Sequence, residues 1–145
     1  MSERPAAGPA AGHGGADDRL ADDPEAAPFW AACAQGRLQV QRCGACGARF
    51  LFPRALCPAC SSADLGWLVV SGRGTVYSYT VVWRAAAPHL EVPYVLALVD
   101  LEEGVRLMTH IVNCPHDQLA VGMPVRVRFD PPLDGRPMPL FEPDR

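Results

Sequence analysis

The sequence predicts a mainly β protein, in which a short helix and a cysteine-pinned ribbon precede a five-stranded barrel. Three observations carry that prediction. Two C-x₂-C pairs, Cys43/Cys46 and Cys57/Cys60, stand ten residues apart. From Trp67 onward the chain turns to short runs rich in β-branched and aromatic residues, separated by turn residues. One short helical stretch falls between the third and fourth of five strand candidates.

Residues 1–28 hold eight Ala, four Gly and four Pro, with hardly any large apolar side chain beyond Leu20. Such a segment buries too little surface to offset the entropy of ordering it, so 1–28 reads as a disordered acidic tail. Apolar content begins at Phe29-Trp30. The stretch Phe29–Gln35 predicts two helical turns, with Pro28 at the start and Gly36 at the end. Leu38 and Val40 alternate with Gln39 and Gln41, which predicts a short strand leading into Cys43. A second short strand, Phe50–Phe52, follows the first cysteine pair. Residues 29–66 thus read as a helix and a small ribbon too poor in aliphatics to hold itself together, and 67–145 as the barrel.

The barrel strands follow in order. Thr75–Trp83 is the longest, and Tyr94–Val99 is a continuous apolar run. Val105–Val112 places Leu107, Thr109 and Ile111 on one face and Arg106, Met108 and His110 on the other. Val125, Val127 and Phe129 point inward from Val125–Phe129, with Arg126 and Arg128 outward. Pro115–Ala120 allows a short helix, closed by Gly122 and followed by Pro124. Met138–Phe141 supplies a fifth strand, expected at an edge because of its prolines. This is the layout of an OB-fold.

The chain has 145 residues and a net charge of −3, and all 13 of its basic residues are arginine. Residues 1–25 set two arginines against six acids, a net of −4, so the other 120 residues carry +1. That near-neutral body argues against a general phosphate-coating nucleic-acid binder. No apolar run approaches the roughly 18–20 residues of a membrane span, and no secretion signal opens the sequence. The expected compartment is the cytoplasm.

Each C-x₂-C pair can place two thiolates on one knuckle, and two knuckles complete a tetrahedron around Zn²⁺. Gly44 and Gly47 suit the tight turn. Arg42, Arg49 and Arg54 lie in sequence beside a site of net charge −2. Paired disulfides suit a secreted mini-domain, and a redox C-x-x-C normally stands alone beside a βαβ unit; neither context is present. One structural Zn²⁺ per chain on Cys43, Cys46, Cys57 and Cys60 is therefore the expectation. Four protein ligands leave no open position for catalysis. Cys33 reads as a small buried apolar residue. Cys114 lies near His110 and His116 in sequence, but no third group can be named to orient a Cys/His pair. His89 falls in a Pro/Ala loop and reads as solvated. No catalytic residue is assigned.

Ser71-Gly72-Arg73-Gly74 is not followed by the helix a phosphate-cradling loop needs, so it reads as a turn admitting close backbone approach. Tyr77, Tyr79 and Trp83 are expected on one face of their strand by two-residue alternation. Such a face could stack bases, line the core, or dock another protein. Arg73 and Arg84 flank it and suit the phosphates of a small ligand such as coenzyme A.

Taken together, Phe29-Trp30, Gln41–Gly47, Phe52-Pro53-Arg54 and Cys57–Cys60 resemble the rubredoxin-like zinc ribbon of DUF35 proteins. Ser71–Val82, Pro93-Tyr94, Gly104–Leu107 and Gly122–Val125 resemble the OB-fold of the same family. The resemblance covers about residues 29–142 and implies an N-terminal helical hairpin, a zinc ribbon and an OB-fold. It further implies an accessory role. Better-understood relatives bind thiolase-like acetyltransferases or aldolases acting on acyl-CoA, including steroid side-chain CoA esters, or adjoin MaoC-type hydratase domains. The expectation is a non-catalytic subunit of a heteromeric 2:2 complex with a thiolase-superfamily enzyme, with Arg73, Tyr77, Tyr79, Trp83 and Arg84 as the partner or ligand surface. The alternatives are a single-stranded nucleic-acid module and a partner of a MaoC-like enoyl-CoA hydratase.

Overall fold

Strand pairing sorts the chain into two sheets that share one core. The computed structural model describes residues 23–88, 90–130, 132 and 137–145. Helix α1 (Ala27–Ala34) is followed by β1 (Gln39–Cys43), β2 (Arg49–Phe50), β3 (Leu65–Val69), β4 (Arg73–Val82), β5 (Tyr94–Leu101), β6 (Arg106–Ile111), β7 (Pro124–Arg128) and β8 (Leu140–Pro143). The first three strands form an antiparallel sheet in the order β2-β1-β3. The other five close a barrel in the order β4-β5-β6-β8-β7. The mainly β class and the five-stranded OB barrel are as the sequence predicts.

In α1, Pro28 sits in the first turn, where its missing N–H has no helical partner to lose. Phe29, Ala32 and Cys33 recur at helical spacing and are buried. Gly36 ends the helix in the left-handed region at φ +69°. The expected tail 1–28 is therefore too long at its C-terminal end. Asp23–Ala26 make a turn whose Asp23 carbonyl accepts the N–H groups of Ala26 and Ala27, and Ala26 is buried. The tail's first 22 residues lie outside the described residues, as does His89. Of the helical hairpin implied by the resemblance, the described residues contain α1.

Phe29, Cys33, Leu38 and Val40 join Val70 and the barrel interior in one cluster with Val76, Val99, Leu107, Val125 and Phe141. A ribbon with few aliphatics of its own thus leans on the barrel. Ser71 N–H donates to Glu103 Oε1 at 2.6 Å, and Arg49 Nη1 donates to the Glu103 carbonyl at 3.1 Å, tying ribbon to barrel at a second point. Gly72 (φ +73°) and Gly74 act as expected of a close-approach turn. A Cβ on Gly72 would strike Val127, and one on Gly74 would strike the backbone of Asp100.

Three sequence expectations are corrected here. Pro115–Ala120 forms a single turn, not a helix, with Gln118 N–H on the Pro115 carbonyl at 2.9 Å. The backbone groups a second turn would use go to β4 instead: the Gly122 N–H donates to the Val76 carbonyl at 2.7 Å, and the Leu119 carbonyl accepts from Tyr79 Oη. The last strand is Leu140–Pro143 and is not an edge. It pairs antiparallel with β7 and parallel with β6 through Ile111 and Phe141, so it closes the barrel. Pro137 and Pro139 lie ahead of the paired residues, and Pro143 comes last, so the prolines frame the ladder without breaking it. In the ribbon, the second strand is Arg49–Phe50, because Phe52 turns into the left-handed region at φ 71°.

Candidate metal centre and the outer barrel face

The two knuckles repeat one backbone pattern. Gly47 N–H donates to the Cys43 carbonyl and Ser61 N–H to the Cys57 carbonyl, each at 2.9 Å. The residue after each second cysteine is left-handed, Gly47 at φ 76° and Ser61 at φ 59°. Gly44, by contrast, needs its missing side chain for another reason: a Cβ there would collide with the Asp64 carboxylate. β1 delivers Cys43, and the loop between the knuckles is gripped by Gln41. Its side chain is buried, donating to the Arg54 carbonyl at 3.1 Å and accepting the Arg54 N–H at 2.7 Å.

This places all four ligand atoms within 4.8 Å of one another. Cys43 and Cys60 sulfurs are 3.6 Å apart, and those of Cys46 and Cys57 are 3.7 Å apart. A tetrahedral Zn²⁺ with bonds of about 2.3 Å sets its sulfurs about 3.8 Å apart, so the donor set fits. The Cys46 backbone N–H favours the Cys43 thiolate, drawing that thiol down to about 7. At Cys60 the Ser62 N–H works in the same direction, but the sulfurs of Cys46 and Cys43 outweigh it and push the thiol up to about 12. Adjacent thiols resist ionising together unless a cation shares their charge. Arg49, one of three arginines in sequence beside the cluster, turns its guanidinium toward the barrel at Glu103.

The remaining cysteines stand apart. Cys33 is buried in the core, and burial pushes its thiol up to about 11, as suits a packing residue. Cys114 points its S–H at the Pro115 carbonyl, 3.5 Å away. The two histidines near it in sequence are stacked elsewhere: His110 lies flat on Tyr94 and His116 meets Trp83 edge-on.

The aromatic strand departs from simple alternation. A β-bulge between Val76 and Ser78 leaves Tyr77 without a partner on β5, whereas Tyr79 sits opposite buried Ala97. Tyr77 and Tyr79 therefore face opposite ways, which corrects the single aromatic face expected from sequence. Tyr79 Oη donates to the Leu119 carbonyl at 2.9 Å, and Trp83 packs on His116 in the same loop. Tyr77 lies outside, under Arg106, whose guanidinium carbon is 3.3 Å from the ring centroid. Arg106 also holds Asp100 through two bonds of 2.6 and 2.9 Å, keeping that carboxylate below its ordinary pKa. Arg73 reaches Asp144 at 3.6 Å, and Arg84 is exposed in the turn after β4.

Residues that sequence reasoning passed over complete the picture. Gln41 looked like the polar half of an alternating strand, yet it is the clamp behind the metal loop. On the outer face Leu96, Leu98 and Met108 line up across β5 and β6. Their signal was present in the unbroken apolar run at Tyr94–Val99, longer than a strand with one wet face requires. Among the described residues, no helix is long and apolar enough to cross a membrane.

Comparison with known proteins follows the same division. Residues 30–66 match the family of the ChsH2 rubredoxin-like zinc ribbon domain, and residues 67–130 match that of the ChsH2 C-terminal OB-fold domain. The fold is similar to a chain of the solved Ltp2-ChsH2(DUF35) aldolase, with a TM-score of 0.77 and 38% identity. That likeness covers 83% of this chain and 95% of the other. A probable enoyl-CoA hydratase alpha subunit of Thermomonospora curvata is 42% identical over 79% of this chain. A DUF35 domain-containing scaffold protein of Methanocaldococcus jannaschii is 37% identical over 61% of it. The chain spans 36% of the length of the hydratase subunit and 64% of that of the scaffold protein.

Proposed function

The chain belongs to the DUF35/ChsH2 family, a rubredoxin-like zinc ribbon followed by a C-terminal OB-fold domain, and on that premise we propose that it is a non-catalytic accessory subunit. Its partner is a thiolase-superfamily enzyme, an aldolase or thiolase acting on acyl-CoA esters, and the chain helps shape that enzyme's acyl-CoA site within a heteromeric 2:2 complex. One observation carries this reading: the likeness to nearly the whole of a chain from the Ltp2-ChsH2(DUF35) aldolase.

The chemistry of the chain agrees. Cys43, Cys46, Cys57 and Cys60 would hold one Zn²⁺ per chain, and a four-cysteine set leaves no coordination position open to substrate. Bound there, the metal cross-links the two knuckles and supplies folding energy. Such a thiolate site suits the reducing cytoplasm. The near-neutral body gives a polyanion little to hold.

The test is assembly and turnover. Mixed with an Ltp2-type aldolase subunit, the chain is expected to co-elute as a heteromer that cleaves acyl-CoA substrate, while the chain alone leaves the thioester untouched. Turnover by the purified chain unaided would overturn the proposal. The similarity to an enoyl-CoA hydratase alpha subunit favours a second partner class, a MaoC-type hydratase, distinguished by hydration in place of cleavage.

A further inference from the structure

Within the partner-subunit reading above, on which this inference rests, we infer that the thiolase-like subunit docks on the outer face of β4, β5 and β6. The register assembles that face. Ser78, Leu98 and Met108 stand side by side across the three strands, as do Thr80, Leu96 and His110, with Val82 beside Tyr94 at the end. The bulge adds Tyr77 to it. Met108 is 61% exposed and Tyr77 is 49% exposed, and no further layer of this chain lies over them among the described residues. A barrel buries only the inner side of its strands, yet β5 is apolar on both. Val95, Ala97 and Val99 fill the interior, while Leu96 and Leu98 lie half-buried on the outside beside exposed Met108, so that one apolar patch continues across the two strands.

Charge selects the occupant. Related barrels take oligonucleotides on the face of their second and third strands, here β5 and β6. Such a ligand needs free cations for its phosphates. Among the described residues, the patch of Ser78, Thr80, Leu96, Leu98, Met108 and His110 offers none, and Arg73 at the far end of β4 is turned to Asp144. Arg106 is pinned by Asp100 and stacked on Tyr77, and His110 lies flat against Tyr94 where burial lowers its pKa and keeps it neutral. An uncharged face with an aromatic–arginine anchor at one end complements an apolar protein surface.

The experiment compares Met108→Glu with Val121→Glu, an equally exposed apolar position (66%) in the turn before β7, outside this face. Each variant of the full chain, with zinc content and circular dichroism as folding controls, is titrated against an Ltp2-type aldolase subunit. Hydrogen exchange is then followed on the complex. M108E is expected to weaken assembly by more than about tenfold, since it buries an unpaired carboxylate, and V121E to leave it unchanged. Protection should map to 94–101 and 106–111. A wild-type chain that forms no complex defeats the partner-subunit reading and this inference with it. A complex indifferent to M108E, with protection elsewhere, defeats the docking face alone. So does a homodimer of the isolated chain that M108E dissolves while the heteromer persists, or salt-sensitive binding of single-stranded DNA that M108E abolishes.

Discussion

Gln41 holds the backbone of Arg54 from both sides, its amide nitrogen on the carbonyl at 3.1 Å and its amide oxygen on the N–H at 2.7 Å. The side chain thereby fixes the loop that carries the second knuckle toward the first. Replacing it with Leu keeps the volume and strands both Arg54 groups. The expected cost is about 1–3 kcal/mol, the range for leaving buried polar groups unpaired. Metal release to a chelator should quicken in Gln41→Leu while the barrel's strand signal is retained. Release at the wild-type rate would show that the clamp does not hold the loop.

A second prediction concerns how far metal loss spreads. Cys57 is nearly inaccessible, and Cys57→Ser removes one of four clustered sulfurs. Zinc measured by elemental analysis should fall from about one per chain to well below that, because the ligand set supplies the site's binding energy. The barrel should also lose stability. Leu38 and Val40 of the ribbon share a core with Val76 and Phe141, so ribbon collapse removes part of the barrel's packing. A barrel melting temperature unchanged by C57S would mean that the two sheets are energetically independent.

The sequence carried the ribbon because metal chemistry constrains spacing so tightly that Cys43, Cys46, Cys57 and Cys60 could be placed before any fold was known. It carried the barrel strands through alternation, as at Leu107, Thr109 and Ile111, all buried in the structure. Features set by backbone events of one residue escaped it. The bulge at Tyr77 breaks the period of two and parts Tyr77 from Tyr79, and no residue type announces it. The closing role of Leu140–Pro143 was hidden for a related reason. Prolines speak against an interior strand, but only where the ladder needs their N–H, and position within the strand decides that. Gln41 illustrates the last gap, since alternation reports which face a side chain takes and not what it binds there.

Acid should reveal the role of Glu142. Its side chain, only 14% exposed, accepts from Asn113 at 2.6 Å, Arg128 at 2.9 Å and Arg126 at 3.1 Å. The Asn113 hydrogen bond first, then Arg128 and Arg126, lower its pKa from 4.5 to about 2. A carboxylate lowered by folding contributes stability that is fully present above the unfolded value and is lost as pH falls through the folded one. Stability should therefore decline between about pH 4.5 and 2. The metal thiolates also protonate in acid, so the readout is the difference between wild type and Glu142→Gln, which should narrow steadily across that window. A constant difference from pH 6 to pH 2 would remove Glu142 from the account.

Tyr77 and Tyr79, two residues apart on one strand, should answer differently to loss of the same hydroxyl. Tyr79 Oη bonds the Leu119 carbonyl and ties β4 to the loop that precedes β7. Tyr79→Phe should cost about 0.5–1.5 kcal/mol, the net worth of one such bond. Tyr77 meets Arg106 through its ring face, which phenylalanine preserves, so Tyr77→Phe should leave stability within about 0.5 kcal/mol of wild type. Denaturant midpoints at unchanged slope separate the two effects. Equal losses at both positions would place the two rings in equivalent settings, and the bulge that divides them would then have to be abandoned.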